Sequence, residues 1–376
     1  MKVVVAQEIP FLKGLLEPFC EVVYLPGNKI SNRTIQDADA LLVRSATLCD
    51  SALLEGSNVS FIGTASIGHD HIDANFCEAR NITWVNAPSC KSRAVAQYVT
   101  SSLLSLAKQE SFELSSKTLG IIGVGQVGQK VERNARLLGM NVLLNDPPRA
   151  RNEGEKNFTS LDSLLDQSDI ISLHPTMEKE GPEKTYHLLN QEFFERLSKP
   201  IYLINAARGS MVDTVALKAA IQSGKVLGCA LDCWENEPLI DRDLLEMSLI
   251  ATPHIAGYTY EGKAFATKSI VEQFCQFFNL PFHWEEPEIP EPEKAVIKLP
   301  RNCPTKLSNA LLQVYDPLKD TEQLKASPEQ FERLRNQYTL RRDYKATKVL
   351  NLSENDAQIL RAMGLQVAFN ARENIL

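Results

Sequence analysis

Apolar residues along this chain gather into short runs, and between the runs they recur at helical spacing. Lys2 to Ala6, Val22 to Leu25, Ala40 to Val43, Phe61 to Thr64 and Thr83 to Asn86 predict strands. Leu12 to Phe19 and Ser51 to Glu55 predict helices between them. A long amphipathic stretch, Ala94 to Lys108, follows, and then the alternation resumes. Leu119 to Val124, Asn141 to Asn145, Asp169 to His174, Ile201 to Ala207, Leu227 to Asp232 and Leu249 to Thr252 read as strands. Helices are expected at Leu161 to Gln167, at Asn190 to Leu197, and from the cap Asp213 to Gly224. Strands that alternate with helices imply parallel sheets, whose ligands sit beyond the carboxyl ends of the strands.

The pattern changes after Gly262 to Asn279, another long helix, expected to pack back on the first domain. The segment EEPEIPEPEK, residues 285–294, has prolines and carboxylates in place of a periodic pattern and reads as an extended linker. Beyond it, Ala295 to Leu299, Lys348 to Leu352 and Leu365 to Phe369 predict strands. Lys306 to Tyr315, Pro328 to Thr339 and Glu354 to Met363 predict helices. The expected organisation is a first α/β domain of residues 1–95 with 258–284, an inserted domain of residues 96–257, the linker, and a small α+β domain of residues 295–376.

One strand-to-helix junction carries a recognisable chemistry. Gly123, Gly125 and Gly128 stand at G-x-G-x-x-G spacing, after one predicted strand and before a helix whose buried side is expected to be Val127, Val131, Leu137 and Leu138. Gly139 ends that helix. Asp146 closes the next strand, where an acid can accept hydrogen bonds from a ribose diol and repel a 2′-phosphate. Gly123 to Gly128, with Gln126 and Val127 between the glycines, is therefore a candidate pyrophosphate cradle at a helix N-terminus. NAD is favoured over NADP, although Arg149 lies close by in sequence.

Several polar residues fall at the ends of the later strands: His174, Arg208, Asp232 and His254. The elements NAARGS (205–210), LDCWENEP (231–238) and TPHIAGYT (252–259) offer an arginine, a glutamate and a histidine. Oxidation of a 2-hydroxy acid needs this set. A base takes the hydroxyl proton as hydride leaves the carbon, and an imidazole titrates in the right range. His254 is the candidate base, Glu237 the carboxylate that orients it, and Arg208 the fork that holds the substrate carboxylate.

Composition narrows the picture a little further. A net charge of −7 argues against nucleic acid as the main partner. No apolar stretch approaches the roughly 18 residues of a membrane-spanning helix. The eight cysteines are scattered, without C-x-x-C, as expected of reduced thiols in a cytoplasmic protein. His69, His71 and Asp73 resemble a metal cluster only superficially, since alternate positions on a loop are poor evidence for one, and no metal is expected. Asp70 is expected to cap the helix that follows.

Taken together, these motifs resemble the D-isomer-specific 2-hydroxyacid dehydrogenase family across residues 1 to about 280. The resemblance implies a doubly wound Rossmann NAD domain inserted in a smaller, flavodoxin-like α/β substrate domain, a homodimer, and Arg208, Glu237 and His254 as the catalytic set. It also implies that the loop SIGHDHID (66–73) holds the substrate carboxylate through backbone N–H groups. VRSAT (43–47), GTASIGHDHID (63–73), NDPPRA (145–150), HIAGYTYEGKA (254–264) and FERLRNQYTLRRDY (331–344) are similar to a narrower set of members. Those members oxidise a phosphorylated sugar acid, 4-phospho-D-erythronate, with NAD in pyridoxal phosphate (vitamin B6) biosynthesis, and carry a C-terminal dimerisation domain. By that resemblance Ser45, Ser66 and Tyr258 are substrate contacts. Asp146, Pro175, Ala206, Ala207, Arg208, Asp232 and Gly257 are NAD contacts.

The sequence departs from the family pattern in places. Ser66 replaces threonine, His174-Pro175-Thr176 replaces His-Thr-Pro, and Ser89, Lys91 and Gln97 replace glycine, asparagine and glutamate. Arg44, Lys91, Arg93, Arg341 and Arg342 are the cationic candidates for the substrate phosphate. Two other readings stay open on the residues alone: a relative acting on another small D-2-hydroxy acid, and an NAD-sensing interaction protein.

Overall fold

The computed structural model describes residues 1–368 and divides into two compact units. The first is Met1–Lys91 with Thr259–Pro290. Its five strands are β1 (Lys2–Ala6), β2 (Glu21–Leu25), β3 (Ala40–Val43), β4 (Phe61–Thr64) and β5 (Thr83–Val85). All pair in parallel, in the order β2-β1-β3-β4-β5. That order is the flavodoxin-like one. β3 and β4 are buried throughout, as strands covered on both faces must be. Helix Tyr260–Phe277 lies against β4, with Ile270 over Gly63 and the Phe61 and Phe274 rings edge to face at 5.8 Å.

Two sequence expectations fail in this unit. Residues 12–19 form a series of turns rather than a helix, because Phe11 (φ 61°) and Gly14 (φ 91°) take left-handed backbone and Pro18 cannot donate within a helix. The cap of helix Ala74–Ala79 is Asp73, not Asp70: Asp73 Oδ1 accepts the Phe76 N–H at 2.9 Å. Three residues earlier is too far from that N–H.

The second unit is Ser92–Tyr258 with the chain from Glu291 onward. Its main sheet holds β6 (Thr118–Ile122), β7 (Asn141–Asn145), β8 (Ile170–Leu173), β9 (Ile201–Asn205), β10 (Val226–Leu231) and β11 (Ile250–Ala251), in the order β11-β10-β9-β8-β6-β7, all parallel. The chain leaves β6 for β7 on one side and returns to β8 on the other, so the switch point lies at the carboxyl ends of β6 and β8. Helix Gly128–Leu137 buries Val131 and Ala135. Leu137 and Leu138 are only partly buried, since Ala135 takes the core position expected of them.

A smaller parallel sheet closes the unit: β12 (Val296–Lys298), β13 (Lys348–Leu350) and β14 (Gln366–Ala368). The strand expected over Leu365 to Phe369 is present over Gln366–Ala368, and Phe369 lies outside the described residues. Ile297, Leu311, Val349 and Leu360 share one core with helix Ser92–Gln109 and β6. Helix Pro317–Ala326 was not anticipated. It covers the short edge strand β11, where Thr321 Oγ1 accepts the Ala251 N–H at 3.0 Å. All eight cysteines are free thiols. No helix among the described residues is long and apolar enough to cross a membrane.

Candidate active site

The glycine turn after β6 has the shape its spacing predicts. Gly123 is at φ 86°, and a Cβ there would lie 2.3 Å from the Pro175 nitrogen, so the loops after β6 and β8 meet at this glycine. A Cβ on Gly128 would lie 2.2 Å from the Gly123 carbonyl oxygen. Gly125 differs: nothing lies within 4 Å of its Cβ position. Two glycines thus allow close packing, and the middle one leaves the backbone open to approach. That is the division of labour a pyrophosphate cradle requires, and the residues present fit a dinucleotide.

Asp146 is at the end of β7, and its carboxylate already organises the turn. Oδ2 accepts the Val124 N–H at 2.8 Å, and Oδ1 accepts the Arg149 N–H at 3.1 Å as the cap of helix Pro147–Glu153. The Arg149 guanidinium is turned to other partners. It pairs with Glu153 at 2.6 Å, donates to the Val124 carbonyl at 2.5 Å and lies over the Phe158 ring. A cavity of about 620 Å³ borders these residues, lined by Val124, Leu144, Arg149, Glu153 and Phe158 among others, but by none of Arg208, Glu237 or His254.

The catalytic candidates come from the ends of β9, β10 and β11. Glu237 Oε1 accepts from His254 Nδ1 at 2.5 Å, which leaves Nε2 as the ring nitrogen available to a substrate. His254 holds a left-handed backbone (φ 55°), uncommon for a residue with a side chain. Asp232 explains how that conformation is maintained. It is buried, and it accepts the Ile255 N–H at 2.7 Å, the Ala256 N–H at 2.9 Å and the Thr252 hydroxyl at 2.7 Å. Thr252 is tied in turn to Tyr98 (2.8 Å), and its carbonyl accepts the Trp234 indole N–H at 2.9 Å. The loop carrying His254 is therefore fixed by surrounding contacts rather than by local preference.

Electrostatics separates the acids and the histidines. Burial pushes the Asp232 carboxyl up, against the pull of His254 and the three donors. Burial also opposes ionisation of Glu237, but His254 and then Arg335 outweigh it and hold that carboxyl below its ordinary range. Enclosure pushes the His174 imidazole down to about 3, so it is neutral at working pH; its Nε2 pairs with Ser172 Oγ at 2.8 Å. His174 is thus a neutral imidazole paired with a serine at the end of β8.

Arg208 belongs to a loop braced by Asn205, a residue sequence reasoning did not single out. Asn205 Nδ2 donates to the Arg208 carbonyl at 3.0 Å, and its Oδ1 accepts the Ala207 N–H at 3.1 Å. Gly209 then packs directly on the backbone of Trp234, three residues before Glu237. Ala206 and Ala207 sit on the Arg208 loop, Gly257 sits on the His254 loop, and Tyr258 is buried at the end of the latter.

The remaining predicted contacts lie in the first unit. Ser45 is exposed just after β3. Ser66 is buried, donates to the Gly68 carbonyl at 2.7 Å and pairs with Thr64 Oγ1 at 2.9 Å; Thr64 pairs with His71 Nε2 at 2.9 Å. His71 therefore belongs to a hydroxyl network. Among the described residues no group of three or more His, Cys, Asp or Glu could hold a metal. Ser89 stands at φ 69°, a left-handed backbone that glycine adopts without steric cost. Of the cationic candidates, Arg44 donates to the Glu8 carbonyl at 3.2 Å, while Arg341 is buried within its own chain.

The chain is similar to known proteins over most of its length. Residues 92–256 match the family model of the D-isomer specific 2-hydroxyacid dehydrogenase NAD binding domain, and residues 289–364 match a domain of unknown function. A solved D-lactate dehydrogenase from Aquifex aeolicus, complexed with NAD and lactic acid, is 29% identical with a TM-score of 0.63, covering 74% of this chain and 96% of that one. Two curated relatives are similar over almost their whole length. An erythronate-4-phosphate dehydrogenase of Bacteroides thetaiotaomicron is 44% identical, covering 94% of this chain and 100% of its own. That of Porphyromonas gingivalis is 42% identical, covering 96% and 99%. The chain belongs to the D-isomer-specific 2-hydroxyacid dehydrogenase family and, within it, to the erythronate-4-phosphate dehydrogenases.

Proposed function

We propose that this chain oxidises 4-phospho-D-erythronate at C2 to 3-hydroxy-2-oxo-4-phosphobutanoate, a step in pyridoxal phosphate biosynthesis. The observation that carries the reading is the 2.5 Å His254–Glu237 pair, on the same parallel sheet as a dinucleotide cradle. Gly123 to Gly128, Asp146, Pro175, Ala206 to Arg208, Asp232 and Gly257 would hold NAD, which supplies the hydride acceptor. Arg208 holds the substrate carboxylate in its fork. His254 Nε2 takes the proton of the C2 hydroxyl, and the Glu237 carboxylate stabilises the imidazolium that results. Ser45, Ser66 and Tyr258 are proposed as further substrate contacts. The reading carries with it a cytoplasmic homodimer, which size-exclusion chromatography with light scattering tests.

A panel of D-2-hydroxy acids, assayed by reduction of NAD, tests the substrate. The expected preference is for the phosphorylated four-carbon acid, and a better rate on lactate or 3-phosphoglycerate would exclude it. The cofactor preference is tested at Asp146. Serine there keeps the helix cap and removes the charge. Asp146→Ser is expected to lower the ratio of kcat/KM for NAD over NADP roughly tenfold, the worth of one charged hydrogen bond. An unchanged ratio would remove Asp146 from the ribose.

A further inference from the structure

The C-terminal part of the chain reaches the catalytic pair. Helix Phe331–Asn336 carries Arg335, whose Nη1 lies 3.8 Å from Glu237 Oε1, the same oxygen that His254 Nδ1 contacts. The Tyr258 hydroxyl lies near enough to interact electrostatically with this guanidinium. Six residues on, Arg341 grips the same loop from the backbone side. Its Nη1 donates to the Ile255 carbonyl at 3.0 Å, its Nη2 to the Ala256 carbonyl at 2.7 Å, and its backbone N–H to the Tyr258 carbonyl at 3.2 Å. Arg341 stacks 4.0 Å over the Tyr315 ring. Asp320 accepts the hydroxyls of Tyr315 (2.8 Å) and Tyr338 (3.3 Å), so the Arg341 cluster holds its own counter-charge. Arg335 is the cation of this segment that faces the dyad.

A carboxylate that orients a base must keep both its rotamer and its charge in a half-buried setting. One hydrogen bond from an imidazole fixes neither, because the carboxylate can turn about its last bond. A cation against the same oxygen restricts that rotation and favours the ionised form.

We propose that Arg335 is a positioning residue for the reaction, holding Glu237 against His254. It acts through that carboxylate and does not itself bind the substrate phosphate. The C-terminal segment is then part of the active site's support in each chain. The proposal rests on His254 being the base, and it gives the 331–344 motif a role apart from dimerisation.

The test uses the full-length protein with Arg335→Met and Arg335→Lys, saturating NAD and 4-phosphoerythronate. The Met variant is expected to lose kcat by roughly tenfold or more, as misplaced catalytic groups do. NAD affinity, read by fluorescence titration, should stay within about twofold, since the cradle is untouched. Lysine should restore part of kcat by returning the charge without the fork. A Met variant with wild-type kcat would overturn the proposal. So would a rise in KM for the phosphorylated substrate at unchanged kcat, which would make Arg335 a ligand of the phosphate. If the Met variant does not fold, the Lys variant decides: reduced kcat at unchanged NAD affinity supports the proposal, and wild-type kcat overturns it. Wild-type protein that reduces no NAD with any 2-hydroxy acid would instead overturn the reading of the site as a dehydrogenase.

Discussion

Replacing His254 with asparagine is expected to lower kcat by roughly 10²- to 10⁴-fold, the range of a positioned general base. Asparagine is the informative substitution because position 254 has φ 55°, and asparagine tolerates left-handed backbone better than alanine does. The loop should keep its shape, since Asp232 holds it through the Ile255 and Ala256 N–H groups, which the substitution leaves in place. NAD affinity should therefore be almost unchanged, and the loss should appear in kcat. Steady-state kinetics with a fluorescence titration of the cofactor separates the two. Turnover near that of the wild type would end the assignment of His254 as base.

Gly209→Ala is expected to be the most disruptive single methyl in the active site. A Cβ at Gly209 would lie 1.9 Å from the Trp234 carbonyl carbon and 2.5 Å from the Glu235 nitrogen, all backbone atoms. No side-chain rotation relieves such an overlap, so the loop carrying Arg208 must separate from the segment carrying Glu237. The cost is expected at roughly 3 kcal/mol or more, at the upper end for overpacking. The separation should also lower kcat/KM well beyond the loss of folded protein. Denaturant titration gives the stability, with the slope expected unchanged. Wild-type activity in a stable Gly209→Ala protein would mean that this contact does not set the site.

Much of this architecture is legible in the sequence, because fully buried parallel strands such as β3, β4, β8 and β9 are predominantly apolar runs. Helix Pro317–Ala326 is not legible in the same way. Its buried face is Pro317, Thr321 and Leu324, and a threonine that binds a strand's edge looks polar in any pattern. The segment 12–19 fails for the opposite reason: its leucines have helical spacing, but Gly14 breaks the backbone between them and Pro18 follows two residues after the last.

The candidate site divides along similar lines. Glu237 and His254 each lie just beyond a strand end, and parallel strand ends converge, so their pairing follows from the alternation. Asn205 was in view within NAARGS, but its side chain serves the loop, and that use is set by a turn geometry no pattern reveals. Arg335 and Arg341 both belong to one basic motif. Only tertiary packing turns Arg335 toward Glu237, and it buries Arg341 under the His254 loop, whereas the sequence suggests for Arg341 a reach toward substrate phosphate.

The central claim is a hydride transfer from one phosphorylated acid, and reduction of NAD reports it directly. Purified protein mixed with NAD and 4-phosphoerythronate should generate reduced nicotinamide, seen by its ultraviolet absorbance, while the His254→Asn protein should generate almost none under the same conditions. An absence of reduction by the wild-type protein, or equal rates from both proteins, would contradict the account.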